Sequence, residues 1–239
     1  MEKTALITFY DHHVQAQVDT GVNERHHAIL RFLQERGLRG HHQLLEVGCG
    51  IGTLTGLLAK QLTRGGQLTA VDISPKSVET ARRRLRNRSN VRFLTGDILQ
   101  LNLEQRFDVV VLPDVLEHIP LEEHSRLFQR LQAWLQDDGF IFIHVPEPRF
   151  LAWSQIFEPE NLQIVDQPIY TDRLLANAYP AGLYLDYLRS YSLWRQSPDY
   201  QVIVLKHDAA KADYTVQKRS WHRRWRGKLK RLWREGLSR

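Results

Sequence analysis

At 239 residues, with 42% apolar and 25% charged side chains, the chain has the size and composition of one α/β domain with additions. A single cysteine, Cys49, excludes internal disulfides and cysteine-built zinc sites and fits a reducing compartment. The net charge of +6 is uneven: residues 218–239 carry ten Lys/Arg against the single acid Glu235, whereas the preceding 217 residues hold 23 basic and 26 acidic side chains.

In chain order, the first residues lack the cationic-then-apolar order of a signal peptide, and residues 1–22 are mixed, with Tyr10-Asp11-His12-His13 the notable cluster. Asn23 is a cap for a helix running to about Arg36, stopped by Gly37. A strand over 43–47 leads through Gly48-Cys49-Gly50-Ile51-Gly52 into a helix over 53–63. A second strand, 68–72, ends in Asp72, and Ser74-Pro75 opens a helix over 76–87. Strand three, 91–94, is followed by Gly96-Asp97, and 107–112 is a continuous apolar strand, as a sheet covered on both faces demands. A helix from Pro120 and Leu121 to about Leu135 precedes a fifth strand, 140–145. Five strands alternating with helices predict an open parallel sheet. Residues 147–182 read as a long connection with one helix over 171–179, and the β-rich runs 183–194 and 200–206 as an antiparallel hairpin. No apolar run is long enough to span a membrane.

The chemistry concentrates at Glu46–Thr55. The strand–turn–helix context aims backbone N–H groups and a helix dipole at a ligand. The spacing departs from G-x-G-x-x-G, and the Gly-Lys-Ser/Thr of a phosphate loop is missing. Glu46 would repel a pyrophosphate but attract an ammonium. Asp72 can accept ribose hydroxyls, and Asp97 can accept an amino group from an adenine edge. A ligand with a cationic amino-acid end, a ribose and an adenine but no phosphate fits these groups, and S-adenosylmethionine is such a ligand.

Glu46-x-Gly48-x-Gly50-x-Gly52, Asp72, Gly96-Asp97 and the stretch from Phe107-Asp108 to His118 resemble the ordered motifs of class I S-adenosylmethionine-dependent methyltransferases. Asp114-Val115-Leu116-Glu117-His118-Ile119-Pro120 is similar to the segment after strand four in the small-molecule members of that class. The resemblance covers residues 40–147 most strongly. It implies a Rossmann-like, doubly wound, seven-stranded sheet, mostly parallel with an antiparallel C-terminal hairpin. It also implies S-adenosyl-L-methionine contacts at Glu46, Gly48, Cys49, Gly50, Gly52, Asp72, Ile73, Ser74, Gly96, Asp97, Ile98, Pro113 and Asp114.

Methyl transfer from a sulfonium is an in-line displacement that needs alignment, and a hydroxyl acceptor benefits from a base near neutral pKa. His118 and His144 are the candidate bases, for an acceptor expected to react at oxygen, and His12 and His13 could arrive on an N-terminal lid. Asp114, Glu117 and His118, at i, i+3 and i+4, could instead converge on a metal, although no certain fourth ligand accompanies them and no metal is assigned. The Asn/Asp-Pro-Pro-Tyr/Phe of base-amino methyltransferases is missing after strand four, and the slightly acidic body disfavours nucleic acid. The expected acceptor is a small molecule or biosynthetic intermediate, with RNA or protein held by the basic tail as the alternative. The domain reading is an N-terminal helical segment or lid (1–40), a cofactor domain (41–208) whose insertion 147–182 covers substrate, and a basic tail (209–239). Trp221, Trp225, Leu229, Leu232 and Trp233 would share one helical face, suited to an anionic membrane surface or a partner. The expected localisation is cytoplasmic, peripheral at the membrane if the tail docks.

Overall fold

The computed structural model describes residues 3–163 and 165–208, the side chains of residues 3–6, 13 and 161 excepted. The tail, and the helix expected over its aromatic face, lie outside these residues. Seven strands form one sheet: β1 (Gln43–Val47), β2 (Gln67–Asp72), β3 (Val91–Thr95), β4 (Phe107–Pro113), β5 (Leu135–Pro146), β6 (Leu183–Tyr191) and β7 (Tyr200–His207). Their order is β3-β2-β1-β4-β5-β7-β6. The pairs among β1–β5 are parallel, and β7 runs antiparallel between β5 and β6. This is the expected Rossmann-like sheet.

Alternation along the strands explains the two-sided core. Leu45, Val110 and Leu112 pack on one face with Leu127, Phe128 and Leu131. Leu44, Val109 and Val111 pack on the other with Ile29, Leu33 and Leu58. The helices involved are α2 (Glu24–Glu35), α3 (Thr53–Gln61) and α5 (His124–Trp134), while α4 (Pro75–Arg84) packs Val78 and Ala81 into a smaller cluster with Ala70 and Phe93. Connections leave β1 toward β2 on one side while β4 pairs on the other, so the crevice at the C-terminal ends of β1 and β4 is the switch point where open α/β sheets bind ligands. Asp108 accepts from Gln43 N at 2.7 Å and ties the start of β4 to β1.

Four elements differ from expectation. Residues read as mixed form α1 (Lys3–Thr20), which lies against α4 and lines the cavity through Tyr10, Ala16, Gln17 and Thr20. The helix expected from Pro120 begins at His124, because two short 3₁₀ turns, Leu116–His118 and Leu121–Glu123, flank Pro120, which has no N–H to donate. β5 starts at Leu135, with a register shift opposite Phe107 and Val109. The insertion contains a further helix, α6 (Pro148–Phe157), whose first turn is capped by Glu147 accepting from Arg149 N and Phe150 N. The expected helix α7 spans Thr171–Ala178.

Candidate active site

A cavity of about 670 Å³ opens over the C-terminal ends of β1, β2 and β4. Its floor is the glycine loop. Gly48 has φ +76°, and a Cβ there would meet Val115 Cγ2 at 2.3 Å, so only glycine lets the loop pass under the segment after β4. Gly48 N and Cys49 N both donate to Val71 O, at 2.8 and 2.9 Å, which locks the loop to the end of β2. Gly50 N and Ser74 N donate to the two oxygens of Asp72, at 2.8 and 2.9 Å. These amides hold the Asp72 carboxylate on the cavity wall with lone pairs to spare, although burial pushes its pKa above the usual carboxylate range.

Glu46, at the head of the loop, is fully buried, and neither carboxylate oxygen has a hydrogen-bond partner among the described residues. Burial pushes its carboxyl up to about 8, opposed by the neighbouring Thr55 hydroxyl and assisted by the charge of Asp72. A buried carboxylate without a donor is costly. It lines the cavity, where a ligand ammonium would supply both missing hydrogen bonds and charge. Past β3, Asp97 Oδ1 accepts from Leu99 N at 2.9 Å, and Gly96, Asp97 and Ile98 form the far wall.

The opposite end is built from side chains that satisfy one another. Asp114, with φ +53°, accepts from Arg25 Nη1 at 2.9 Å and from His144 Nδ1 at 3.0 Å. Burial alone would raise its pKa, but these two partners outweigh burial and hold it at about 2. His144 is fully buried on β5, accepts from the Tyr191 hydroxyl at 2.8 Å and stacks on Tyr200 at 4.7 Å. Arg25 Nε, also buried, has no partner among the described residues.

His118 stands on the cavity wall. Its Nδ1 contacts Val165 O at 2.5 Å and Asp166 Oδ1 at 3.0 Å, and its Nε2 lies 3.9 Å from Glu117 Oε1. Burial would lower its pKa, but Glu117, Asp166 and the Val165 carbonyl together raise it to about 9. Burial raises Glu117 to about 8.

Of the residues expected to hold the cofactor, Glu46, Gly48, Cys49, Gly50, Asp72, Ile73, Gly96, Asp97, Ile98, Pro113 and Asp114 line the cavity. Gly52 and Ser74 stand behind the wall. A Cβ on Gly52 would meet Leu85 and Ala81, so that glycine serves helix packing. Ser74 caps α4 and donates to Asp11 Oδ1 at 2.5 Å. The Cys49 thiol is buried, with its pKa well above normal, and acts as a filler. Of the two candidate bases, His118 reaches the cavity, whereas His144 does not and has both ring nitrogens engaged. Asp114, Glu117 and His118 do not converge on a metal, because Asp114 turns to Arg25; no group of three such ligands occurs among the described residues.

The N-terminal segment forms α1, which brings other side chains to the cavity than the expected histidines. His12 points to solvent, and the side chain of His13 is outside the description. Tyr10 instead lines the cavity, with its ring centroid 6.4 Å from that of His118 in an edge-on arrangement, and Gln17 Oε1 accepts from Ile51 N at 3.2 Å. Tyr10, Gln17 and Arg25 were not legible as site residues. The only signal available was their polar character on helices next to a predicted site.

Residues 44–139 match the family described as methyltransferase domain. (S)-coclaurine N-methyltransferase of Thalictrum flavum is 28% identical over 192 residues, 79% of this chain and 48% of that protein. Ubiquinone biosynthesis O-methyltransferase of Coxiella burnetii is 30% identical over 127 residues, 52% of each. The chain thus spans about half the length of the curated relatives it matches. The N-methyltransferase NodS of Bradyrhizobium japonicum, solved in complex with S-adenosyl-L-homocysteine, superposes with a TM-score of 0.61 at 19% identity, covering 77% of this chain and 86% of that one.

Proposed function

We propose that the chain, whose residues 44–139 match the methyltransferase-domain family, binds S-adenosyl-L-methionine and moves its methyl group to a small molecule. The observation that carries this reading is Glu46, a buried carboxylate facing the cavity without a donor. It suits the ligand's ammonium, Asp72 suits the ribose hydroxyls, and the Asp97–Ile98 wall suits the adenine.

The bound cofactor supplies an electrophilic methyl carbon; the protein supplies alignment and proton handling. Tyr10 and the segment after β4 exclude water from the acceptor end. Asp114 is held rigidly by Arg25 and His144, so His144 acts as a positioning residue. His118 is the residue that can take a proton from an oxygen nucleophile. The finer reading is therefore transfer to oxygen, which the O-methyltransferase relative permits and the two N-methyltransferases do not require. Because His118 holds its own proton up to about pH 9, base-assisted transfer should accelerate with pH toward that value.

Calorimetric titration with the cofactor tests the first step. Glu46→Gln should weaken binding by about ten- to a hundredfold, the effect of removing one charged hydrogen-bonding partner. Unchanged affinity would overturn the reading. Labelled-methyl transfer into fractionated extract, with mass spectrometry of the product, identifies the acceptor atom; a methylated macromolecule or nitrogen would overturn the finer assignment.

A further inference from the structure

Helix α6 carries an apolar face that the fold leaves uncovered. Phe150, Trp153 and Phe157 recur at three- and four-residue spacing and stack as a ladder, with ring centroids 6.2 Å and then 5.3 Å apart. Arg195, from the turn between β6 and β7, lies over Phe150 and Trp153 at 5.5 and 5.6 Å. Beside it Trp194 sits edge-on to Tyr200. Ile156, Phe157, Trp194 and Trp153 are 72, 63, 55 and 40% exposed. The core needs none of this, because α6 already buries Leu151 and Ser154 on its inner side. Grouped exposure of large apolar side chains marks an interaction surface.

We propose that this face seats on an anionic lipid bilayer. Tryptophan and arginine together are the chemistry of the headgroup layer, where an amphipathic ring sits at the boundary and a guanidinium meets phosphate. No acid occurs within Pro148–Phe157; just before it, Glu147 is buried and pairs at 2.7 Å with Arg149, whose side chain is exposed. Glu158 is neutralised by Arg195 at 2.5 Å, which leaves Glu160 as the nearby acid, beyond the end of the helix. By composition, residues 218–239 add ten basic side chains and three tryptophans, chemistry suited to the same kind of lipid. Among the described residues no helix is long and apolar enough to cross a membrane, so the contact is superficial. The same helix is tied to the cavity, since Gln155 Nε2 donates to Asp166 O at 2.7 Å and Asp166 contacts His118.

Flotation of the full chain with phosphatidylcholine vesicles, with and without phosphatidylserine, tests the proposal, and neither cofactor nor transfer enters the readout. Wild type should float with the anionic vesicles. The double variant Trp153→Ser/Phe157→Ser should partition about tenfold more weakly, because two interfacial aromatics are lost. Ile156→Ser, at the most exposed position, should weaken binding in the same direction without a folding defect. The proposal is overturned if wild type stays at the bottom, or if the variants float as well as wild type, which would leave the tail as the only anchor. It is also overturned if light scattering shows a dimer that these substitutions dissociate, which would make the face a protein interface.

Discussion

At the glycine-loop end of the cavity, Glu46 is buried with neither oxygen bonded; at the other end Asp114, half-buried, is bonded by Arg25 and His144. The first carboxyl is pushed up to about 8 and the second held at about 2. Burial acts on both in the same direction, so the partners decide the difference. An unsatisfied charge lowers the stability of the empty protein and raises affinity for a ligand that completes it. A satisfied network does the reverse: it rigidifies the wall against which an acceptor must be aligned. The cavity combines an end that waits for a ligand with an end that is already finished.

Substitutions can break this contrast. The largest effect is expected at His118, the group at the finished end that can move a proton. His118→Ala should lower kcat by roughly 10²–10⁴-fold and leave cofactor affinity within a few-fold; a matching loss of affinity would place His118 at the cofactor end instead. Arg25→Met comes next. It strips Asp114 of its guanidinium partner and should cost about 2–4 kcal/mol in denaturant unfolding, below the limit for a fully buried pair because the Arg25 side chain keeps 30% exposure. Full stability in that variant would show that His144 alone satisfies Asp114.

The smallest effect is a slope. Because the pKa of Glu46 is raised on folding, the folded state binds a proton that the unfolded chain releases. Its contribution to the stability of the cofactor-free protein is fully present below the ordinary glutamate pKa and is lost as pH rises toward about 8. Glu46→Gln should flatten that part of the pH–stability curve in thermal unfolding, and saturating cofactor should flatten it too. An unchanged slope in the variant would mean that Glu46 is ionised and compensated in the empty protein.

The cofactor end was legible because one contiguous stretch, Leu44 to Thr55, supplies strand, turn, helix start and acid together, and Asp72 and Asp97 follow at the ends of the next two strands. The acceptor end was only partly so. Arg25, Asp114, His144, Tyr191 and Tyr200 come from five separate elements, and nothing in their spacing announces that they meet. His144 read equally well as a base until its partners were visible. The N-terminal segment was only partly legible for a related reason: α1 has no apolar period, and which of its polar residues faces the cavity depends on how the helix lies. Tyr10 and Gln17 turned inward where His12 had been expected.

By itself the sequence determined the sheet, its order of motifs, and the chemistry of the glycine loop, because apolar periodicity, glycine spacing and a strand-end acid act over a few residues. Only the tertiary structure decided which buried charges are paired, which histidine reaches the cavity, and which aromatic side chains of the insertion are core and which are left in water. Those outcomes depend on desolvation and on partners brought together from distant parts of the chain. Neither is a property of any local stretch.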